Sequence, residues 1–225
     1  MRDVFIVAPT RTPIGKFGGA LVDLDPMALG ATVMQQTIAR AGITGYELDL
    51  YIMGNVLRAG HGQLLARQAA VRAGIPQSID GYSIDMVCSS GMMAVINAAT
   101  MIKAGEADLV LAGGMESMSQ AGFSLSHRAR WGYKYLMGKP EGLTDIALHD
   151  GLTDPIEDAA MGDETDRLSH EREVTREELD EVAYQSHQRA AKAQADGAFD
   201  QEMVPVEWET RKGYKKLAVD EGVRP

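Results

Sequence analysis

The sequence predicts an α/β fold: a mostly parallel sheet with helices on both faces, followed by a region of mixed loops and helices. Three observations carry this. Apolar runs of strand length alternate with helix-length stretches from residue 2 to residue 114, and residues that start and stop helices bound those stretches. After Met118 the alternation ends and loop-like and acidic segments take over. Strands alternating with helical crossovers imply parallel pairing.

The elements follow in order. Val4 to Ala8 is continuously apolar, so residues 2–8 are expected as a buried strand. The loop from Pro9 to Gly19 is rich in turn formers. Asp25 as N-cap and Pro26 at the first helical position open a helix that Gly42 closes. Leu48 to Asn55 is a second strand, and Gln63 to Ala73 a second helix stopped by Gly74 and Pro76. Tyr82 to Val87 is a third strand; a helix from Met92 to Ile102 follows, ended by Gly105. Leu109 to Ala112 is a fourth strand, with Gly113 and Gly114 after it. Met92, Met93 and Met101 are expected as core filler on the third helix.

Residues 119–160 are expected to be loop-like, with an acidic helix at about 162–173. Thr175 and Glu178 form a capping box for a longer helix ended by Gly197. Leu179, Val182, Ala183, Ser186, Ala190 and Ala193 are its expected inner face, and Glu177, Asp180, Glu181 and Arg189 its solvated face.

Composition narrows the function. At 225 residues the chain holds one large domain or two small ones, and its single cysteine excludes an internal disulfide. That suits a reducing, cytoplasmic setting. No stretch is expected to span a membrane. A net charge of −10 argues against general nucleic-acid binding, so an anionic ligand needs local cations. Two basic patches offer them: Arg128, Arg130, Lys134 and Lys139, and then Arg211, Lys212, Lys215 and Lys216. The five histidines show no pair at zinc-ligand spacing. Gly113-Gly114 lacks the surroundings of a phosphate loop, so close backbone approach after a strand is the expected role.

Cys88 is the candidate nucleophile. It sits where a strand gives way to a helix, at the carboxyl end of a strand in a parallel sheet, where ligands collect. A helix N-terminus favours an anion there. A lone cysteine is also commonly a small buried hydrophobe, and the junction alone leaves both roles open.

Several segments together resemble one known family, the thiolases, which are acetyl-CoA acetyltransferases and 3-ketoacyl-CoA thiolases. They are Arg11-Thr12-Pro13-Ile14-Gly15-Lys16-Phe17-Gly18-Gly19, Met53-Gly54-Asn55-Val56, Ala66-Arg67-Gln68-Ala69-Ala70, Val87-Cys88-Ser89-Ser90-Gly91 and Ala112-Gly113-Gly114-Met115-Glu116-Ser117-Met118-Ser119. Asp150-Gly151-Leu152, Met161-Gly162, Thr175-Arg176-Glu177 and Asp220 to Pro225 continue the register. The resemblance implies a thiolase-like mixed sheet with helices on both faces, the first half of a duplicated fold, plus an inserted loop and helical subdomain. Residues 1–118 would be an incomplete amino-terminal domain carrying the nucleophile, and 119–225 a loop domain for CoA binding and oligomer contacts. The second, carboxy-terminal domain is expected to be absent.

The resemblance also implies ping-pong acyl transfer through a Cys88 acyl-enzyme, either cleaving 3-ketoacyl-CoA or joining acetyl units. Coenzyme A thioesters would be the substrates, with no separate cofactor and no metal. Family CoA contacts fall on Leu152, Met161 and Arg224, the first two lining an apolar groove and Arg224 serving the nucleotide end. Ala160 stands where short-chain biosynthetic members often carry histidine, a departure from that subgroup's pattern that leaves subgroup and acyl-chain preference open. The family's Gly-His-Pro and Cys-x-Gly-Gly-Gly segments do not occur, so the chain is expected to be truncated and inactive alone. A homodimer or homotetramer is expected, with 123–139 as contact loop and no nucleic-acid or membrane partner. Ketoacyl synthases share the cysteine junction but not the matches beyond residue 150. A non-catalytic CoA- or lipid-binding protein, or a subunit completed by a partner chain, are the alternatives.

Overall fold

The computed structural model describes residues 2–133, 142–211 and 213–224. Lys134, Tyr135, Lys139 and Lys212, expected above in basic or contact segments, lie outside the described residues.

Helix α1 (Pro26–Ala41) starts as its sequence dictates, with Asp25 Oδ1 accepting the Ala28 N–H at 2.7 Å and Gly42 ending it in the left-handed region. Three strands then alternate with two helices: β1 (Leu50–Gly54), α2 (Leu65–Arg72), β2 (Asp80–Ile84), α3 (Ser90–Ala104) and β3 (Val110–Gly114). The strands pair in parallel in the order β2-β1-β3. Period-two alternation sends β1 side chains to opposite faces. Tyr51 and Met53 pack against α1 and α2, beside Met27, Met34, Leu65 and Ala69. Ile52 packs on the other face, against Ala94 and Ala98 of α3. Helices therefore cover both faces.

Residues 2–8 depart from expectation. They form no strand, and Phe5 and Ile6 are 81% and 79% exposed. Arg2 is ion-paired to Asp108, but a groove of about 620 Å³ separates the segment from the β3 edge. A continuous apolar run signals burial on both sides. It does not supply the neighbouring strand that burial needs, and among the described residues none pairs with 2–8.

Four smaller corrections follow. The strand before Cys88 ends at Ile84, so a turn separates it from the nucleophile. Gly113 and Gly114 lie inside β3, opposite Met53 and Gly54, rather than after it. Met92 is exposed together with Val95 and Ile96, so this face of α3 is not core. By length and composition Val87–Ala104 also matches a short membrane span, contrary to the expectation that no stretch would. Only Ser90, Ala94 and Ala98 of α3 are fully buried, against the sheet.

Beyond Met118 the chain forms a 3-10 turn (His127–Trp131) and a two-residue ladder of β4 (Phe123–Ser124) with β5 (Thr144–Asp145). Helix α4 (Ile146–His149) follows, then a second short ladder, β6 (Thr153–Asp154) with β7 (Ala159–Ala160). Helices α5 (Met161–Glu171) and α6 (Arg176–Ala195) come next, α6 with the reciprocal Thr175–Glu178 capping box. The expected inner face of α6 holds only at its C-terminal end. Ala190 and Ala193 are half-buried, whereas Leu179, Val182, Ala183 and Ser186 are exposed. An apolar stripe becomes an inner face only where another element covers it, and among the described residues nothing buries the first three turns. The hairpin of β8 (Val206–Thr210) and β9 (Gly213–Leu217) packs Val206 and Trp208 against Leu21 and Leu29 of the first half.

Candidate active site

The carboxyl ends of β1, β2 and β3 converge on the N-terminus of α3, and Cys88 lies two residues before that helix, exposed. Gly54 allows the convergence. A Cβ on Gly54 would stand 2.5 Å from the Gly91 nitrogen, and one on Gly114 would stand 3.5 Å from the Gly91 Cα. Close approach of strand ends to the helix start, expected for Gly114, is what the structure shows.

The turn carrying Cys88 is tightly specified. Val87 has φ 48°, a left-handed conformation that a β-branched residue rarely adopts. Its N–H donates to Asp85 Oδ1 at 2.9 Å, and its carbonyl accepts the Ser90 hydroxyl at 2.6 Å. The same Ser90 Oγ accepts the Met86 N–H at 2.9 Å. The buried Ser90 thus closes the turn from both sides, and surrounding bonds hold a conformation that isolated backbone avoids.

The cavity at Cys88 measures about 410 Å³. Its walls are Asn55, Val56 and Leu57 after β1, Val87, Cys88, Ser90 and Gly91, then Met115, Glu116 and Met118 after β3, and Gly151-Leu152. Leu152 thus shares the cavity with Cys88. Met161 does not line it, but its N–H donates to the Leu152 carbonyl at 2.9 Å, so the two stand side by side and half-exposed. Arg224 is not among the lining residues; it is exposed, its N–H donating to His187 Nδ1 on α6 at 3.2 Å. The structure joins Cys88, Leu152 and Met161 and leaves Arg224 apart.

Two residues escaped sequence reasoning. The Glu116 carboxylate accepts the Val56 N–H at 2.8 Å, the Leu57 N–H at 3.2 Å and Asn55 Nδ2 at 3.0 Å. Asn55 also donates its side-chain amide to the Met115 carbonyl and its backbone N–H to Ile84. One buried asparagine thereby bridges the ends of all three strands. Burial pushes the Glu116 carboxyl above the usual carboxylate range against the bonds from Val56 and Leu57, and the Asp85 charge adds to the rise. The available signal was a polar residue directly after each of two apolar runs, where parallel sheets place their sites.

A sequence profile of the family described as "Thiolase, N-terminal domain" matches residues 4–225. The chain is 62% identical over 224 residues to an acetyl-CoA acetyltransferase of Synechocystis sp., covering 100% of this chain and 57% of that protein. It is 42% identical over 226 residues to a probable acetyl-CoA acyltransferase of Staphylococcus epidermidis, covering 100% and 56% respectively. The crystal structure of the Bacillus anthracis acetyl-CoA acetyltransferase superposes with a TM-score of 0.91 at 37% identity, over 97% of this chain and 55% of that one. The chain therefore spans a little over half the length of these relatives.

Proposed function

This chain belongs to the thiolase family, and on that premise we propose that it carries the nucleophile of an acyl-CoA C-acyltransferase. The observation that supports this is the position of Cys88. The only cysteine is exposed in a cavity at the carboxyl ends of three parallel strands, just before a helix N-terminus.

In the proposed first half-reaction the Cys88 thiolate attacks the carbonyl of an acyl-CoA thioester. The carbon–sulfur bond to CoA breaks, CoA leaves as its thiolate, and the acyl group stays on Cys88 Sγ. The Ser89 and Ser90 N–H groups already bond the Met86 and Val87 carbonyls, so another backbone N–H of the first turn of α3 is the proposed donor to the developing oxyanion, a contribution of about 3 kcal/mol per donor in other enzymes. In synthesis the α-carbon of a second acetyl-CoA, having lost a proton, attacks the acyl-enzyme and gives acetoacetyl-CoA as the Cys88 thiolate leaves. In thiolysis Cys88 instead attacks the 3-keto carbonyl of 3-ketoacyl-CoA. The bond between C2 and C3 breaks, acetyl-CoA leaves after its C2 takes a proton, and free CoA then accepts the acyl group from Cys88. No histidine or lysine lines the Cys88 cavity among the described residues. The acid–base groups of the carbon–carbon step are therefore proposed to come from outside these 225 residues. Leu152 and Met161 are proposed to hold the apolar part of the CoA arm and Arg224 its nucleotide end. We further propose residues 119–225 as the CoA-binding and oligomer-contact region of a cytoplasmic homo-oligomer.

The test is intact mass before and after incubation with acetyl-CoA, on this chain and on a form joined to the carboxy-terminal region its relatives carry, each with a Cys88→Ser control. One acetyl group that disappears in the control supports the assignment. No labelling of either form overturns it, and saturable CoA binding without labelling would instead indicate a non-catalytic CoA-binding protein.

A further inference from the structure

We propose that Glu116 is a positioning residue for acyl transfer, acting through Asn55 and the backbone of residues 55–57 to hold the cavity wall that faces Cys88. The inference rests on the acyl-transfer role of Cys88 and adds a residue to it.

A carboxylate taken out of water keeps its charge favourable only when donors replace the lost hydration. Glu116 lies on the last turn out of β3 and receives three donors, all from the segment that follows β1. No cation is among its hydrogen-bond or ion-pair partners in the described residues. An acid whose partners are all N–H groups of one short loop fixes that loop more than it neutralises a charge. The loop is not remote from the chemistry. Asn55, Val56 and Leu57 line the same cavity as Cys88, and so does Glu116 itself. Leu57 also reaches the loop that carries the proposed CoA contact: a Cβ on Gly151 would stand 3.4 Å from Leu57 Cδ2, beside Leu152. One carboxylate thereby sets the relative positions of the β1 end, the β3 end and the Gly151-Leu152 wall around the thiol.

A displaced wall misplaces a bulky thioester but not a small thiol reagent. The two are separable because Cys88 is the only cysteine, so every alkylation event reports on it. The experiment compares wild type with Glu116→Gln, in whichever form of the protein acetylates. It measures the rate of Cys88 acetylation against acetyl-CoA concentration, the rate of alkylation by iodoacetamide, and the folded fraction by circular dichroism. The Gln variant keeps the shape but puts an amide where two backbone N–H groups need an acceptor. The maximal acetylation rate is expected to fall at least about tenfold. Iodoacetamide alkylation is expected to be unchanged or faster, because a neighbouring negative charge has been removed. Asn55→Ala, which breaks the bridge from its other end, is expected to give the same split and serves if the Gln variant does not fold.

Equal acetylation rates in wild type and both variants overturn the positioning role. So does a fall in acetylation and alkylation together in proportion to lost folded protein, which marks a structural role only. If wild type itself is alkylated but never acetylated, the acyl-transfer role of Cys88 falls, and the role of Glu116 with it.

Discussion

Arg11 and Asp220, 209 residues apart, form a two-pronged ion pair: Nη1 and Nη2 of the guanidinium meet the two carboxylate oxygens at 2.8 and 3.1 Å. Arg11 Nε also donates to Glu202 at 2.5 Å, and its guanidinium lies over the Phe199 ring. Asp220 further accepts the Ile14 N–H, while Glu221 accepts the N–H groups of Lys16 and Ala20. The glycine-rich loop after residue 10 is thus held by Glu202, Asp220 and Glu221.

Breaking this latch should destabilise the protein. Arg11→Ala leaves the poorly exposed Asp220 without its partner, and a loss of about 2 kcal/mol is expected, read by urea unfolding. Burial opposes it, but the Arg11 fork and the Ile14 N–H hold the Asp220 carboxyl below the usual carboxylate range. For an acid lowered in the folded state, the stabilisation is present above about pH 3.9 and is lost as pH falls through the lowered value. Asp220→Asn should therefore be less stable at neutral pH and show a shallower loss in that acid window.

The sign reverses at Glu116. Its carboxyl is raised in the folded state by burial, so the fold binds that proton more tightly than the unfolded chain does. Stability should decline as pH rises from about 4.3 towards the raised value. Glu116→Gln should remove that decline, which melting temperatures measured from pH 4 to pH 7 would show as a flatter profile.

The turn at the nucleophile gives a paired prediction. Val87→Gly relieves a left-handed φ while loosening the unfolded chain, so its stability should stay within about 0.5 kcal/mol of the parent. Ser90→Ala leaves the Met86 N–H without its acceptor and should cost about 1–3 kcal/mol. Urea titration of both variants checks the contrast; a costly Val87→Gly would mean the turn is not strained.

Two glycines a few ångströms apart should behave oppositely. Gly54→Ala drives a methyl into the backbone of Ser90 and Gly91 and should cost about 1–3 kcal/mol while slowing iodoacetamide alkylation of Cys88. Gly91→Ala meets nothing within 4 Å in the first turn of α3 and should gain up to about 1 kcal/mol. Thermal melts and the alkylation rate test both.

Local chemistry was legible in the residues themselves. Asp25-Pro26 and Gly42 fixed the limits of α1, and Thr175 with Glu178 the start of α6, because caps are satisfied within one turn. The alternation through residue 114 implied a parallel sheet with two helical layers, because crossovers leave few other solutions. Cys88 stood out as a thiol at a strand–helix junction. The motifs in register around it identified the family before any coordinates did.

Tertiary structure decided whatever depends on a second segment. Val4 to Ala8 and Leu179 to Ser186 carry apolar patterns, yet burial requires a neighbour that the pattern cannot name. The same holds at the site. Nothing adjacent in sequence to Glu116 shows that its carboxylate will meet the N–H groups of residues 56 and 57, some 60 positions earlier. Only the convergence of three strand ends, made possible by Gly54, brings them together around Cys88. Propensities and caps act over a few residues of chain, whereas a site is a meeting of strand ends, and chain neighbours cannot specify it.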